Sequence, residues 1–304
     1  MKRIGAVVLA LLLAMGLLAG CGNRDKHEIQ EEFLLMLVEK VSTGGLQAAE
    51  TYLDENLSSV RETVADHMLV AFADYLYRYI STNPDKIDVN AWAVYYDEEE
   101  DCIDEEAITL SQDYQLYETL TDCHIMLRGS REALSMQIDY TRLLEDFGEY
   151  LSPELTELYQ LNARAMEEPM TENATLMVSW EEVLDRAAAA ERLLTESGDH
   201  QHIRDDALWL YKTYISTLLM GATNTPIFNY ESGAFSEEAR QAYRDYMAAE
   251  PELVLTEILR QYFEYLGSID YTMHYSDETE SKQFFETCDY LLLEAEKRVT
   301  STDE

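Results

Sequence analysis

Residues 59–82 read SVRETVADHMLVAFADYLYRYIST, and this stretch decides the fold class. An apolar stripe runs through it at a spacing of three or four residues, comprising Val60, Val64, Met68, Phe72, Leu76 and Tyr79. That spacing puts the apolar side chains on one face of an α-helix, which must pack against other elements. Ser59 and Glu62 have the spacing of a capping box, in which each side chain binds a free backbone N–H group at the other residue. The stretch therefore predicts a long amphipathic helix that begins near Val60.

The same pattern extends outward over most of the chain. Ser152-Pro153-Glu154 is a clear helix start, because it combines a capping hydroxyl, a proline at the first helical position and an acid in the first turn. Other helices are predicted over Asp104–Leu127, Ser130–Phe147, Thr171–Ser197, Asp199–Met220, Ser236–Ala249, Pro251–Gly267 and Ser276–Val299. The count is ten or eleven helices. Their short connections favour antiparallel packing, so we expect an all-α fold of one or two helical bundles.

Two irregular or hairpin-like stretches interrupt the helices, one after Pro84 and one after Pro226, and both are rich in aromatic residues. The candidate binding residues in them are Trp92, Tyr95, Tyr96, Phe228 and Tyr230. Amphipathic rings of this kind bind glycans, peptides and partner helices well. The alternative is that the rings pack helix ends while their hydroxyls reach water. We favour packing, although these positions are also the first candidates for a binding site.

An internal duplication is a further possibility. Tyr79–Thr82 and Tyr214–Thr217 are identical, and Ile103–Tyr114 matches Phe235–Tyr246 at Glu-Glu-Ala and Asp-Tyr with nearly the same offset. Chance matches between Glu-rich helices explain the pattern equally well. Glu168-Pro169 is the best candidate boundary, so that residues 26–168 would form the first half of the bundle and residues 169–304 the second.

The N-terminus has the parts of an export signal. Lys2 and Arg3 precede an apolar run that ends in Leu18-Ala19-Gly20-Cys21. The run is shorter than the roughly 20 residues that a membrane span needs. The segment resembles a bacterial lipoprotein signal with its lipobox, whereas we recognise no family for the body of the chain. The resemblance implies removal of residues 1–20, lipidation of the Cys21 thiol and a short lipidated tether over residues 21–25.

Charge narrows the possible partners. The chain has 22 basic and 60 acidic residues, and loss of Lys2 and Arg3 with the signal changes its formal charge from −38 to −40. Nucleic acid is an improbable partner, because phosphate binding needs clustered Lys and Arg. An anionic membrane surface would repel the body within a Debye length of about 8 Å. Such an excess of acidic residues ordinarily serves solubility. The more specific alternatives are attraction to a basic partner and binding of a divalent cation.

The sequence contains none of the common catalytic or phosphate-binding motifs, so it predicts no catalytic residue and no cofactor. The acidic stretch from Asp97 resembles a calcium loop only superficially. In EF-hand register, Cys102 stands where glycine is needed and Ile108 where the bidentate glutamate belongs. His200, His202, Asp205 and Asp206 form the densest His/Asp group. Only two of them share a helix face and zinc needs at least three ligands, so we predict an ordinary helix start, capped by Asp199, and no metal site.

The leading hypothesis is a non-enzymatic, lipid-anchored extracytoplasmic protein that binds another envelope component, either a protein or a glycan. The first alternative is a lipoprotein that binds a small ligand or a divalent cation and serves a transporter. The second alternative is a hydrolase whose site is assembled from scattered carboxylates. Beyond Cys21, the sequence contains Cys102, Cys123 and Cys288, for which buried thiols are the ordinary interpretation.

Overall fold

A computed structural model describes residues 24–39, 41–97, 102–198, 200–250 and 252–301. Over these ranges the chain forms twelve α-helices and four two-stranded antiparallel hairpins, which confirms the all-α class. The predicted ten or eleven helices are close to this number. None of the helices in the described ranges is both long and apolar enough to cross a bilayer. The lipobox and Cys21 lie outside the described residues.

The chain divides into two compact units, Met1–Ile138 and Asp139–Glu304. The helices of the first unit are α1 (Arg24–Val38), α2 (Thr43–Asn56), α3 (Glu62–Thr82), α4 (Glu105–Ile108) and α5 (Tyr114–Asp122), with 3₁₀ turns at Leu57–Ser59 and Val89–Tyr95. Its hairpins pair β1 (Tyr96–Asp97) with β2 (Cys102–Ile103), and β3 (Ile125–Ser130) with β4 (Ala133–Ile138). This division falls upstream of Glu168-Pro169, and the boundary predicted there between two halves of a helical bundle stays a prediction.

The second unit contains seven of the described helices. They are α6 (Tyr140–Phe147), α7 (Pro153–Glu167), α8 (Trp180–Glu196), α9 (Gln201–Met220), α10 (Glu237–Ala249), α11 (Val254–Ser268) and α12 (Glu278–Thr300), with a 3₁₀ turn at Gly148–Tyr150. Its hairpins pair β5 (Thr171–Glu172) with β6 (Thr175–Leu176), and β7 (Gly221–Ala222) with β8 (Thr225–Pro226).

In the first unit, α3 is the central helix. Its stripe residues Met68, Phe72, Leu76 and Tyr79 are completely buried, as the periodicity predicts. The Arg78 guanidinium donates to the Leu37 carbonyl of α1 (3.0 Å), and Ser42 N before α2 donates to the Tyr75 hydroxyl (3.3 Å). The Gln30–His67 contact lies nearer the starts of α1 and α3 (3.2 Å). Together these contacts show that α1 and α3 run parallel and that α2 runs antiparallel to both.

The predicted capping box at the start of α3 is wrong. The helix begins at Glu62 after Arg61, and no side chain caps it. Because the preceding turn is a 3₁₀ segment, the Ser59 hydroxyl points backward and donates to the Asn56 carbonyl (2.7 Å).

The helices predicted over Asp104–Leu127 and Ser130–Phe147 are wrong over residues 125–138, which form the β3–β4 hairpin. Leu134 and Ile138, four residues apart, fit one face of a helix, but the same spacing also fits one face of a strand. In the structure both side chains are buried on the hairpin together with Ile125 and Leu127. Gly129 has φ +140° at the turn, and a Cβ there would collide with the Ala133 carbonyl oxygen.

In the second unit, α9 packs antiparallel to both α8 and α12. The Tyr211 hydroxyl of α9 donates to Glu191 of α8 (3.1 Å), and Lys212 pairs with Glu296 of α12 (2.5 Å). The buried Glu191 carboxylate also accepts the N–H groups of Val254 (2.6 Å) and Leu255 (2.8 Å). It therefore binds the otherwise free donors at the first turn of α11.

The end of α9 is closed by tyrosines. The Tyr243 hydroxyl donates to the Leu218 carbonyl and the Tyr262 hydroxyl to the Leu219 carbonyl, both at 2.7 Å. The two neighbouring carbonyls accept backbone N–H groups, from Gly221 to Thr217 and from Ile227 to Met220. All four carbonyls that a helix end leaves without an intrahelical partner are thus satisfied inside the unit. For these tyrosines, packing at a helix end is the role that the structure shows.

Local signals predicted some helix starts and missed others. The Ser152 and Ser236 side chains accept hydrogen bonds from Leu155 N (3.1 Å) and Ala239 N (3.2 Å), so both predicted caps are confirmed. The helix predicted over Thr171–Ser197 begins only at Trp180, because residues 171–176 turn back as the β5–β6 hairpin. The predicted starts at Asp199 and Pro251 lie outside the described residues.

Part of the sequence repeat has a structural counterpart. Tyr96 pairs with Ile103, and at the same offset Phe228 forms a bridge with Phe235. The next residue in each case caps a helix: Asp104 accepts a hydrogen bond from Ala107 N (3.0 Å), as Ser236 does from Ala239 N. The two helices then differ, since α4 has 4 residues and α10 has 13. The duplication stays a prediction, with local support at this one motif.

Candidate functional site

The structure places three of the five predicted aromatic residues in the interior. Trp92, Tyr96 and Phe228 are at most 2% exposed. Trp92 packs edge-on against Tyr117 at 6.0 Å, and the Tyr96 hydroxyl accepts a hydrogen bond from Gly129 N (3.3 Å). As binding residues these three are therefore corrected to core residues, because their buried rings leave almost no surface for a ligand to contact. Tyr95 is half-buried, and Tyr230 is 59% exposed.

A tight turn in the second unit presents Tyr230. The Asn229 side-chain oxygen accepts the N–H groups of Glu231 (3.0 Å) and Ser232 (2.9 Å), which is the geometry that Asn favours in turns. Gly233 closes the turn with φ +68°, and a Cβ there would lie only 2.8 Å from His274 Nε2. Asn229 thus fixes the start of the turn by hydrogen bonds. Gly233, at its end, lets the turn pack directly on His274 in the segment before α12.

Tyr230 forms an aromatic surface with two residues that lie farther along the chain. Its ring centroid is 5.0 Å from that of Tyr275, which in turn is 6.3 Å from that of Phe285. The Tyr230 hydroxyl donates to the Thr223 carbonyl (3.0 Å), so the ring lies across the base of the turn. Phe285 is 41% exposed. We call Tyr230, Tyr275 and Phe285 the Tyr230 surface.

The Tyr230 surface continues into the core through further rings. Phe228 lies 5.3 Å from Phe235 and 5.3 Å from Phe284, edge-on to both. Phe284 contacts Tyr275 at 6.3 Å. Burial raises the pKa of Tyr275 to about 12. The exposed rings are therefore held by interior rings in the edge-to-face arrangement that aromatic pairs prefer.

A groove of about 550 Å³ lies beside Tyr230 between Asn224 and Ser236. Its polar side chains already serve the fold. The Asn224 amide donates to the Asn173 carbonyl (2.8 Å), and the Thr225 hydroxyl accepts from Leu176 N (3.0 Å). The Ser236 hydroxyl caps α10. The groove therefore offers a ligand mainly the ring face of Tyr230 and the exposed carboxylate of Glu231.

Acidic residues are frequent in the two segments that carry the Tyr230 surface. The segment 275–289, which carries Tyr275 and Phe285, contains five acids and one lysine. The lysine, Lys282, lies 3.7 Å from Glu286. Within the described ranges, no lysine or arginine forms an ion pair with Glu231. The surface thus combines apolar rings with a net negative charge.

Sequence reasoning missed Tyr275 and Phe285. The signal was the Phe284-Phe285 pair in a helix, because adjacent helical residues point about 100° apart and only one of them can face the core directly. Phe284 is completely buried, which leaves Phe285 at the surface.

A second groove, of about 420 Å³, is lined by Glu168 and Glu182. Both carboxylates bind the completely buried Arg186, which donates to Glu182 Oε1 (2.5 Å) and Glu168 Oε2 (3.3 Å). Arg164 also donates to Glu182. Because guanidinium groups already hold these oxygens, the groove is an ion-pair network and gives a pair of catalytic carboxylates no support.

The remaining candidate sites have few supporting contacts. Trp209 is 66% exposed beside a groove of about 540 Å³ along α9, but no other aromatic ring of the described residues packs against it. Over the same ranges there is no group of three metal-binding side chains, and no disulfide joins Cys102, Cys123 and Cys288. Most of the acidic stretch from Asp97 lies outside them.

Comparisons with known protein families, curated proteins and solved structures find no match to this chain.

Proposed function

We propose that this chain is a lipid-anchored extracytoplasmic protein that binds another component of the bacterial envelope, a protein or a glycan, through the Tyr230 surface. The observation that carries the binding site is the exposure of Tyr230 on a turn that interior rings hold in place. Tyrosine is enriched among the residues that contribute most to binding energy, because it presents a large, rigid and amphipathic ring.

The chemistry of the surface favours binding over catalysis. Tyr230, Tyr275 and Phe285 provide apolar contact area. The paired carboxylates of the Glu168–Glu182 groove are held by Arg186 and do not resemble a working acid–base pair. We therefore propose a non-enzymatic role.

The anchor is tested at Cys21. In cells given a labelled fatty acid, Cys21→Ser should abolish labelling and move the chain out of the membrane fraction, because a single residue is proposed to carry the lipid. Cys102→Ser is the matched control, since Cys102 is exposed in the folded chain and should leave labelling unchanged. Full labelling of the Cys21→Ser variant would refute the anchor.

The binding site is tested by comparing two tyrosine variants of the full chain. Tyr230→Ala should lose a crosslinked envelope component that the wild type and Tyr290→Ala both retain. Tyr290 is a suitable control because it is 56% exposed on α12 but lies outside the Tyr230 surface. Identical crosslinking of both variants would refute this site.

A further inference from the structure

We propose that the Tyr230 surface binds a basic segment of a partner protein, one that presents arginine or lysine side chains. This inference rests on the proposed function and assigns the partner's chemistry. Two independent features of the surface point to it: its carboxylates and the exposed faces of its rings.

Exposed carboxylates lie next to the rings in sequence, or one helical turn away, on both contributing segments. Glu231 follows Tyr230 directly, and Asp289 lies one helical turn after Phe285 on α12. Both residues are exposed. The one lysine of the segment 275–289 has an acidic neighbour, Glu286. An approaching cation would therefore meet a negative potential, which speeds association and orients the partner.

The rings supply the second feature. A cation is attracted to the face of an aromatic ring within about 6 Å of its centroid. The same unit contains such a pair, since the Arg240 guanidinium carbon lies 4.0 Å from the Tyr271 centroid. Tyr230 is 59% exposed and Phe285 41%, so a cation can reach both rings, and the carboxylates of Glu231 and Asp289 follow them closely in sequence to receive the N–H groups of a guanidinium.

Other occupants fit less well. A second copy of this chain would bring one acidic surface against another, because each copy has a formal charge of −38. An anionic membrane is disfavoured by the same repulsion. A glycan needs several hydrogen-bonding partners, yet the Asn224, Thr225 and Ser236 side chains of the groove are engaged within the fold. A basic protein segment needs only aromatic rings and carboxylates, and those of Tyr230, Phe285 and Glu231 remain exposed.

The test uses the full chain in detergent and measures fluorescence anisotropy with three labelled probes. The first probe is a peptide of alternating arginine and glycine. The second replaces each arginine with citrulline, which keeps the shape but removes the charge. The third is a tetramer of N-acetylglucosamine, which represents the glycan alternative. We expect the arginine peptide to bind at least tenfold more tightly than the citrulline peptide.

Variants then separate a site from diffuse attraction to an acidic chain. Tyr230→Ala should weaken the arginine peptide about tenfold, which corresponds to about 1.4 kcal/mol. Glu231→Gln should weaken it about threefold and reduce its dependence on salt. The controls Tyr290→Ala and Glu264→Gln, both at exposed positions, should change binding less than twofold. If Tyr230→Ala does not fold, Phe285→Ala on α12 takes its place and should also weaken binding of the arginine peptide.

The outcomes are distinct. Equal effects of site and control variants on the arginine peptide would overturn the inference, because attraction would then be diffuse. If the sugar tetramer alone depends on Tyr230, the partner is a glycan: the inference falls and the proposed binding function stands. If neither probe nor envelope crosslinking depends on Tyr230, both fall.

Discussion

Removing the Tyr262 hydroxyl should destabilise the second unit measurably. Tyr262→Phe keeps the ring but removes the hydroxyl that donates to the Leu219 carbonyl at 2.7 Å, and leaves that carbonyl only the weak thiol donor Cys288, whose Sγ lies 3.9 Å away. Tyr262 is completely buried, so water has no direct path to replace the lost donor. The same reasoning applies to Tyr243→Phe and the Leu218 carbonyl.

The magnitude follows from the cost to a buried carbonyl of losing its hydroxyl donor. Such a loss costs about 1–3 kcal/mol, more than the net value of an ordinary hydrogen bond. We expect each variant to lower the free energy of unfolding by about 1.5 kcal/mol. For a domain of this size that corresponds to a fall in Tm of roughly 3–6 °C. The two effects should add only partly, because the two carbonyls belong to neighbouring residues.

Urea and thermal unfolding followed by circular dichroism at 222 nm would measure these losses. Tyr290→Phe is the matched control, because Tyr290 is 56% exposed and should stay within about 0.5 kcal/mol of wild type. If Tyr243→Phe and Tyr262→Phe both match that control while unfolding cooperatively, the tyrosines do not close the end of α9 as argued.

Three further predictions concern ionisation, a buried cation and a strained turn. Burial raises the pKa of Tyr211, Tyr243 and Tyr262 above the ordinary 10, so the stability that these tyrosines give the folded chain is complete below pH 10 and is lost as pH rises above it. In a titration followed by absorbance at 295 nm, part of the tyrosinate should therefore appear only as the ellipticity falls. Complete titration of all tyrosines in the folded state would contradict this. Arg186→Met should cost about 1–3 kcal/mol in urea unfolding, because the Glu168 carbonyl and the half-buried Glu182 carboxylate lose the donor that they share, whereas Arg260→Met at an exposed position should cost little. Equal costs would refute the role of the network. Ala174→Gly should gain about 0.5–1 kcal/mol in the same assay, since Ala174 has φ +60°, and a loss would contradict strain at this turn.

Helix starts with a side-chain cap were predictable from the sequence alone. Ser152 and Ser236 each accept a hydrogen bond three residues ahead, so the determining contact lies within the local sequence. Ser59 failed because its hydroxyl had a competing acceptor in the turn before it. A local motif predicts a helix start only where no neighbouring backbone group competes for the same side chain.

Hairpins were harder to predict than helices. The β3–β4 strands contain two Leu and two Met, which are good helix formers, and tertiary burial overrides that preference. The β5–β6 turn uses Asn173 and Ala174 in left-handed conformation. Alanine is an unusual residue there, so the sequence carried only half of the normal turn signal.

The site was predicted only in part. The sequence located Tyr230 because aromatic residues cluster after Pro226, but it did not separate Tyr230 from the completely buried Phe228. Which ring faces outward depends on the pairing of Phe228 with Phe235 and on contacts with Tyr275, a residue distant in sequence. Such contacts leave no periodic signal within the segment itself.

The continuous path of rings from Tyr230 to Phe235 has a thermodynamic consequence for any partner. Tyr230 packs on Tyr275, and Tyr275 reaches Phe235 through Phe284 and Phe228, so these side chains lose little rotational freedom on association. Preorganisation of this kind adds affinity, because less freedom is lost on binding, whereas the speed of association depends on the carboxylates. It also means that occupancy should raise the melting temperature of the unit, because the partner would bind only the folded arrangement.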